Sequence, residues 1–136
     1  MARPLTRTER RLQERVQPLL APDEKIQAAL YAHPRLDDRA TRVAKIITVI
    51  LAGFGHPDTW TRPCAIALTD RGVVRFRHNR LGRPVAEAQR YPLSDLGPFE
   101  TTGLDFWFDL AGQRYTVTGD WNSEHTKMRR LREQAP

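Results

Sequence analysis

The chain carries one cysteine, Cys64, so no internal disulfide forms and no cysteine pair exists to begin a zinc site. Next to the apolar run Ala65 to Leu68, that thiol is expected to be buried and inert. The four histidines, His33, His56, His78 and His125, are scattered, without the close spacing of a metal site, and no glycine-rich phosphate loop is present. Asp105 and Asp109 alternate onto one strand face beside Trp107 and are the one carboxylate pair worth weighing for acid–base work; exposed in this way they read as ordinary surface. No catalytic residue, metal or cofactor is therefore expected. Long apolar runs are missing too. No window approaches the roughly 20 residues of a membrane-spanning helix, and the start MARPLTRTERRL puts charge where a secretory signal needs an apolar stretch. A cytoplasmic protein is expected, with the inner face of a membrane as a second, peripheral location.

What is present describes a folded, turn-rich chain. Its 136 residues suit one domain spanning 1–136, large enough to bury about 60–70% of its unfolded surface. Ten prolines and eight glycines among 40% hydrophobic residues imply many turns and short strands. The net charge is +6, which favours phosphates, lipid headgroups or acidic proteins as partners. Six arginines face one glutamate over residues 71–90, whereas five acids face one arginine over residues 91–120. That asymmetry is either a basic pole or two strand faces that neutralise each other.

The clearest local signal is AIALTDRGVVRFR, Ala65 to Arg77. Thr69-Asp70-Arg71-Gly72 suits a type I turn, with Asp70 bonding locally and Gly72 taking a positive φ. Ile66, Leu68, Val74 and Phe76 are expected on a core face, with Arg75 and Arg77 wet. Before the hairpin, residues 1–20 read as an amphipathic helix on Leu5, Leu12, Val16 and Leu19. Thr6 and Glu9 form its capping box, and Arg7, Arg10, Arg11 and Arg15 its polar face. A strand is expected over Lys25–Ala32, ended by His33-Pro34. An apolar stretch follows, Arg42 to Ala52, helical or a buried strand, whose Ile46, Ile47, Ile50 and Leu51 must be covered by the fold, by a second copy or by a membrane surface.

Further strands are expected at Val85–Tyr91, weakly at 97–102, and strongly at 104–110 and 114–118, the last two joined by Ala111-Gly112-Gln113. Trp107 lies opposite the phenylalanines as a candidate ligand platform, or as apolar surface that a helix covers. The chain closes with a helix whose inner stripe is Trp121, Met128, Leu131 and Ala135 and whose cap is Asp120 or Asn122.

The segments Leu20-Ala21-Pro22-Asp23-Glu24-Lys25-Ile26, Ala67-Leu68-Thr69-Asp70-Arg71-Gly72-Val73-Val74 and Tyr91-Pro92-Leu93-Ser94-Asp95-Leu96, in that order before a closing helix, resemble a bacterial pleckstrin-homology-like (PH-like) domain over residues 20–134. The resemblance implies a mainly β (α+β) fold: a bent, seven-stranded antiparallel sandwich or barrel with a C-terminal capping helix, here over residues 21–134, with an N-terminal helix before it and an apolar insertion, 34–61, after strand 1. It also implies a non-enzymatic binding or scaffold module. Its open end would gather Arg35, Arg39, Arg42, Lys45, Arg80 and Arg83 as anion-binding candidates. The insertion would offer Ile46, Ile47, Ile50, Leu51 and Phe54 to a partner or membrane. The long apolar insertion replaces the short basic first loop of phosphoinositide binders. The expected partner is a protein, another copy of the chain or an anionic membrane surface. The alternative is nucleic acid held by the arginine-rich strand and loop faces, although no helix-turn-helix, zinc-finger or base-stacking pattern accompanies them.

Overall fold

A computed structural model describes residues 6–35, 63–102, 105–118 and 121–135. Among the described residues, seven antiparallel strands form one sheet in the order β4-β3-β2-β1-β7-β6-β5. The strands are β1 (Ile26–Pro34), β2 (Cys64–Thr69), β3 (Gly72–His78), β4 (Pro84–Tyr91), β5 (Leu96–Thr102), β6 (Asp105–Leu110) and β7 (Gln113–Val117), with helices α1 (Arg7–Val16) before them and α2 (Asn122–Gln134) after them. Two meanders, β1 to β4 and β5 to β7, meet where the end of β1 pairs with β7 through Ala32, His33 and Pro34. The apolar stretch over Arg42 to Ala52, with Phe54 beyond it, lies outside the described residues.

The first helix starts as its sequence dictates. Thr6 Oγ1 accepts from the Glu9 amide, and the Glu9 carboxylate accepts from the Thr6 amide, the reciprocal arrangement that satisfies two otherwise orphaned donors. Pro18 falls inside a 3-10 turn, Gln17–Leu19, that ends the helix. Leu12 and Val16 are buried, and α1 lies against β1 and β4.

The central hairpin differs from its expected two-faced form. All six residues of β2 are buried. Register sets Ile66 beside Arg75 and Leu68 beside Val73 on one face, with Ala67 beside Val74 on the other, because directly opposed residues in an antiparallel pair project the same way. Val73, Val74 and Phe76 are all buried. Arg75 thus shares the face of Ile66 and is half-buried, and only Arg77 of the two is fully wet. The cause lies outside the hairpin: strands in the middle of a sheet covered on both faces lose the simple alternation.

The turn itself is tighter than expected. Thr69 and Gly72 pair directly across Asp70-Arg71. The Thr69 hydroxyl accepts from the Arg71 amide at 3.0 Å, so Thr69 supplies the local bond assigned to Asp70. Asp70 instead accepts from the Lys25 amide at 3.0 Å, tying the turn to the start of β1. Gly72 has φ +130, and a Cβ there would lie 2.6 Å from the Tyr91 carbonyl oxygen, so the neighbouring strand also requires glycine.

Helix α2 closes the structure. Trp121 and Met128 are buried, and Leu131 packs against the core. Trp121 itself occupies the N-cap without a side-chain capping bond, so Asn122 is not the cap expected from sequence. Two polar residues join the inner stripe. Glu124 accepts from the Ala29 amide at 3.0 Å, in the part of β1 that has left β7. His125, 1% exposed, sits edge-on to Phe99 and Phe106, its Nε2 2.9 Å from the Trp107 carbonyl. Across helices, the Ser123 hydroxyl donates to Glu9 at 3.1 Å.

Candidate functional site

The register defines two ends of the sheet. One carries the Asp70-Arg71 turn and the start of β1. The other, the loop end, carries the end of β1, the start of β2, the β3–β4 loop and the β6–β7 turn. The candidate arginines within the described residues all belong to the loop end.

Arg35 follows directly on β1 and is held by backbone. Its amide donates to the Arg114 carbonyl at 2.7 Å, and its own carbonyl accepts from Gln113 Nε2 at 2.6 Å. Arg80 and Arg83 sit on the β3–β4 loop, which is organised by one residue. Asn79 Oδ1 accepts from the Leu81 amide at 2.9 Å and the Arg83 amide at 3.0 Å. The Asn79 backbone adds bonds to Arg83 O and from Gly82 N, both 3.0 Å. Asparagine suits this place because its short side chain mimics a backbone turn. The loop therefore holds Leu81 outward at 79% exposure, between Arg80 and Arg83, both exposed. Among the described residues, Arg35, Arg77, Arg80 and Arg83 enter no ion pair. Arg39, Arg42 and Lys45, and the apolar candidates Ile46, Ile47, Ile50, Leu51 and Phe54, lie outside the described residues.

Behind these exposed groups, a polar cluster reaches into the sheet. The half-buried Arg75 guanidinium has Tyr91, Tyr115 and Cys64 as electrostatic neighbours; the Tyr91 phenol donates to Gln89 at 3.0 Å. Burial pushes the Cys64 thiol up to about 11 and the Tyr115 phenol up to about 12, so both are neutral near pH 7. Cys64 is thus the buried, unreactive thiol expected, its Sγ donating to the Ala32 carbonyl at 3.5 Å. At the rim, His78 Nε2 accepts from the Ala65 amide at 3.1 Å, and burial holds the His78 pKa below its ordinary 6.5.

The opposite end looks similar in sequence and differs in pairing. Glu24, 1% exposed, accepts from Arg90 Nη1 and Nη2 at 2.6 and 2.9 Å and from the Thr69 hydroxyl. Chiefly through Arg90, its pKa is held down at about 2. Arg71 pairs with Asp23. Away from this end, on β6, Trp107 is no free platform, because the Arg114 guanidinium carbon lies 3.7 Å from its ring centroid. Arg114 also donates to Asp109 at 3.1 Å. The cover over Trp107 is therefore an arginine from the neighbouring strand, where a helix had been the expectation. Of the carboxylate pair considered for catalysis, Asp109 is engaged in this way.

Sequence reading missed Glu24, Glu124 and His125. A signal existed for His125, which stands four residues after Trp121 and three before Met128 on the same helical stripe. None existed for the two glutamates, whose partners are remote in the chain. Among the described residues, no helix is long and apolar enough to cross a membrane, and no group of three His, Cys, Asp or Glu could hold a metal ion. Comparison with protein-family models and with curated proteins finds no match.

Proposed function

We propose that the chain is a PH-like binding module without chemistry of its own, which rests the loop end of its sheet on an anionic membrane surface. The strand order, with two meanders joined at β1 and β7 and a helix closing the chain, supports the bent PH-like sandwich that the sequence resembles. The observation that carries the membrane reading is Leu81, 79% exposed on an Asn79-braced loop between two arginines that enter no ion pair among the described residues. An apolar tip inside a cationic collar matches the boundary between headgroups and acyl chains.

The affinity this supplies is modest. Arg35, Arg80 and Arg83 contribute about 1 kcal/mol each near an anionic leaflet, and burying Leu81 adds about 2 kcal/mol. A total of about 5 kcal/mol corresponds to a dissociation constant of a few tenths of a millimolar. Binding is therefore reversible and falls with salt.

Flotation with phosphatidylcholine vesicles, with and without phosphatidylserine, tests this. The protein is expected to float only with the anionic vesicles and to be released by salt, and Leu81→Asp to weaken flotation at least about tenfold, in line with the cost of a charge below the headgroups. No flotation, together with a dimer by light scattering that Arg80→Glu disrupts, would move the function to self-association. No flotation, with salt-sensitive binding to a single-stranded oligonucleotide, would move it to nucleic acid.

A further inference from the structure

Helix α1 turns a second cationic surface outward, apart from the loop end: it leads to the turn end, where Gln17 Nε2 donates to the Glu24 carbonyl at 2.8 Å. Its apolar stripe is spent on the core, with Leu12 and Val16 buried. Arg7, Arg10, Arg11 and Arg15 are all exposed on the remaining side, with Glu14 as the one exposed acid among them. None of the four enters an ion pair among the described residues. Glu14 follows Arg10 by four residues and Arg11 by three, the order, cation first, that pairs poorly on a helix. The placement of these arginines also works against the helix that carries them. Arg7 is the first helical residue, at the positive end of the macrodipole, where a cation is unfavourable. Arg7 with Arg11 and Arg11 with Arg15 are like charges four residues apart, a spacing that destabilises helices. A helix otherwise well made, with its capping box complete, thus keeps a row of unneutralised cations. Residues that a fold keeps at a cost to itself point to a partner outside it.

We propose that this face of α1 is a docking surface for double-stranded DNA, which it grips by the phosphate backbone without reading base sequence. Arg7, Arg11 and Arg15 share one side of the helix and form a straight row of about 12 Å in steps of about 6 Å, suited to successive phosphates along a strand. All four cations are arginines, whose forked donors match phosphate oxygens. Among the described residues, the exposed large apolar side chains are Leu81 and Val85, neither on α1, so this face has nothing to bury in acyl chains and suits a rigid polyanion over a membrane. Its ten residues, RTERRLQERV, include no aromatic ring on which an unpaired base could stack, which favours a duplex over a single strand. A B-form major groove about 12 Å wide admits a helix of about 10–12 Å against its rim, whereas the A-form major groove of duplex RNA is deep and narrow. Helix α2 extends the surface, because Ser123, bonded to Glu9 of α1, is followed two turns on and on the same side by the exposed Arg130. The surface lies apart from the loop end and does not depend on membrane binding there.

A short fluorescent DNA duplex of arbitrary sequence is the probe, titrated with the full chain by anisotropy at several salt concentrations. The logarithm of the affinity is expected to fall with the logarithm of salt at a slope of about −3, close to one unit for each phosphate held by Arg7, Arg11 and Arg15. Arg11→Gln with Arg15→Gln is expected to weaken binding at least about tenfold at low salt and to flatten the slope by about 2 units. Glutamine keeps the helix propensity and removes the like-charge pairs, so the same variant is expected to melt at an unchanged or higher temperature while binding is lost. Arg11→Lys with Arg15→Lys keeps the charge and is expected to keep the slope; a flattened slope there would count against phosphate contact. An unchanged slope in the glutamine variant would overturn the proposal, as would equally tight binding of duplex RNA. Arg80→Gln with Arg83→Gln is the comparison at the loop end, and if it weakens DNA binding as much as the α1 variant does, the DNA lies at the loop end and the proposal fails. No binding at low salt overturns it outright; loss of flotation on phosphatidylserine vesicles in Arg11→Gln with Arg15→Gln would then give this face to a membrane.

Discussion

Two ends of one sheet spend their arginines in opposite ways. At the turn end, Arg90 grips Glu24 and Glu87, and Arg71 meets Asp23. At the loop end, Arg35, Arg77, Arg80 and Arg83 meet no carboxylate among the described residues. Local composition hides this, because Arg71 and Arg90 belong to the same basic stretch as Arg80 and Arg83. The difference teaches that an arginine's role is decided by what the register brings opposite it. Charge at the turn end holds strands together; at the loop end Arg114 does the same with Asp109, while Arg35, Arg77, Arg80 and Arg83 face no carboxylate among the described residues.

The largest expected effect breaks the comparison at the turn end. Glu24→Gln removes the buried charge that Arg90 bonds, while the partly exposed Arg90 keeps Glu87, and is expected to cost about 2 kcal/mol by urea unfolding, the range for a hydrogen bond to a charged group. Arg80→Glu with Arg83→Glu at the loop end is expected to change stability by less than about 0.5 kcal/mol. Equal losses at the two ends would show that the loop-end arginines are structural after all.

Acid separates the ends next. The Glu24 pKa falls from its ordinary 4.5 to about 2 on folding, so its contribution is complete above about 4.5 and is lost as pH drops toward 2. His78 at the loop end and His125 on the inner face of α2 are held below 6.5, burial being the main cause. Below that value the unfolded chain takes up protons that the folded one resists, so stability starts to fall from about pH 6.5 downward. Urea midpoints across pH are expected to show two declines, and His78→Gln with His125→Gln to remove the upper one alone. A single decline below pH 4.5 in the parent protein would mean that the histidines do not contribute.

A smaller effect sharpens the loop end itself. Asn79→Ala removes two side-chain bonds to the Leu81 and Arg83 amides and is expected to cost about 1 kcal/mol. The loss is confined to faster hydrogen exchange at those two amides. Exchange that quickens equally across β1 to β4 would instead make the loop part of the global fold.

Local chemistry made much of the fold legible. The Thr6–Glu9 capping box, the alternation of Phe106, Phe108 and Leu110, and the Ala111-Gly112 turn all depend on residues within a few places of one another. What stayed hidden depended on distant partners. The two-sided burial of β2 and β3 comes from elements elsewhere in the chain, and so does the bond from Ala29 to Glu124, whose members stand 95 residues apart. The loop-end arginines were recognisable because loops expose what they carry. Arg75 was misplaced because an alternating pattern identifies two faces without saying which of them is covered.

The Ala29–Glu124 bond also bears on the order of assembly. Placing the group that satisfies the Ala29 amide 95 residues further along the chain defers closure until much of what lies between has found its place, since bringing such remote positions together is entropically slow. A chain released before α2 docks carries an open amide on β1, and with it an exposed strand edge of the kind that recruits other chains. The final helix thus serves as a lock on self-pairing as well as a cover for the core, and a protein truncated before Glu124 is expected to aggregate during synthesis instead of unfolding reversibly.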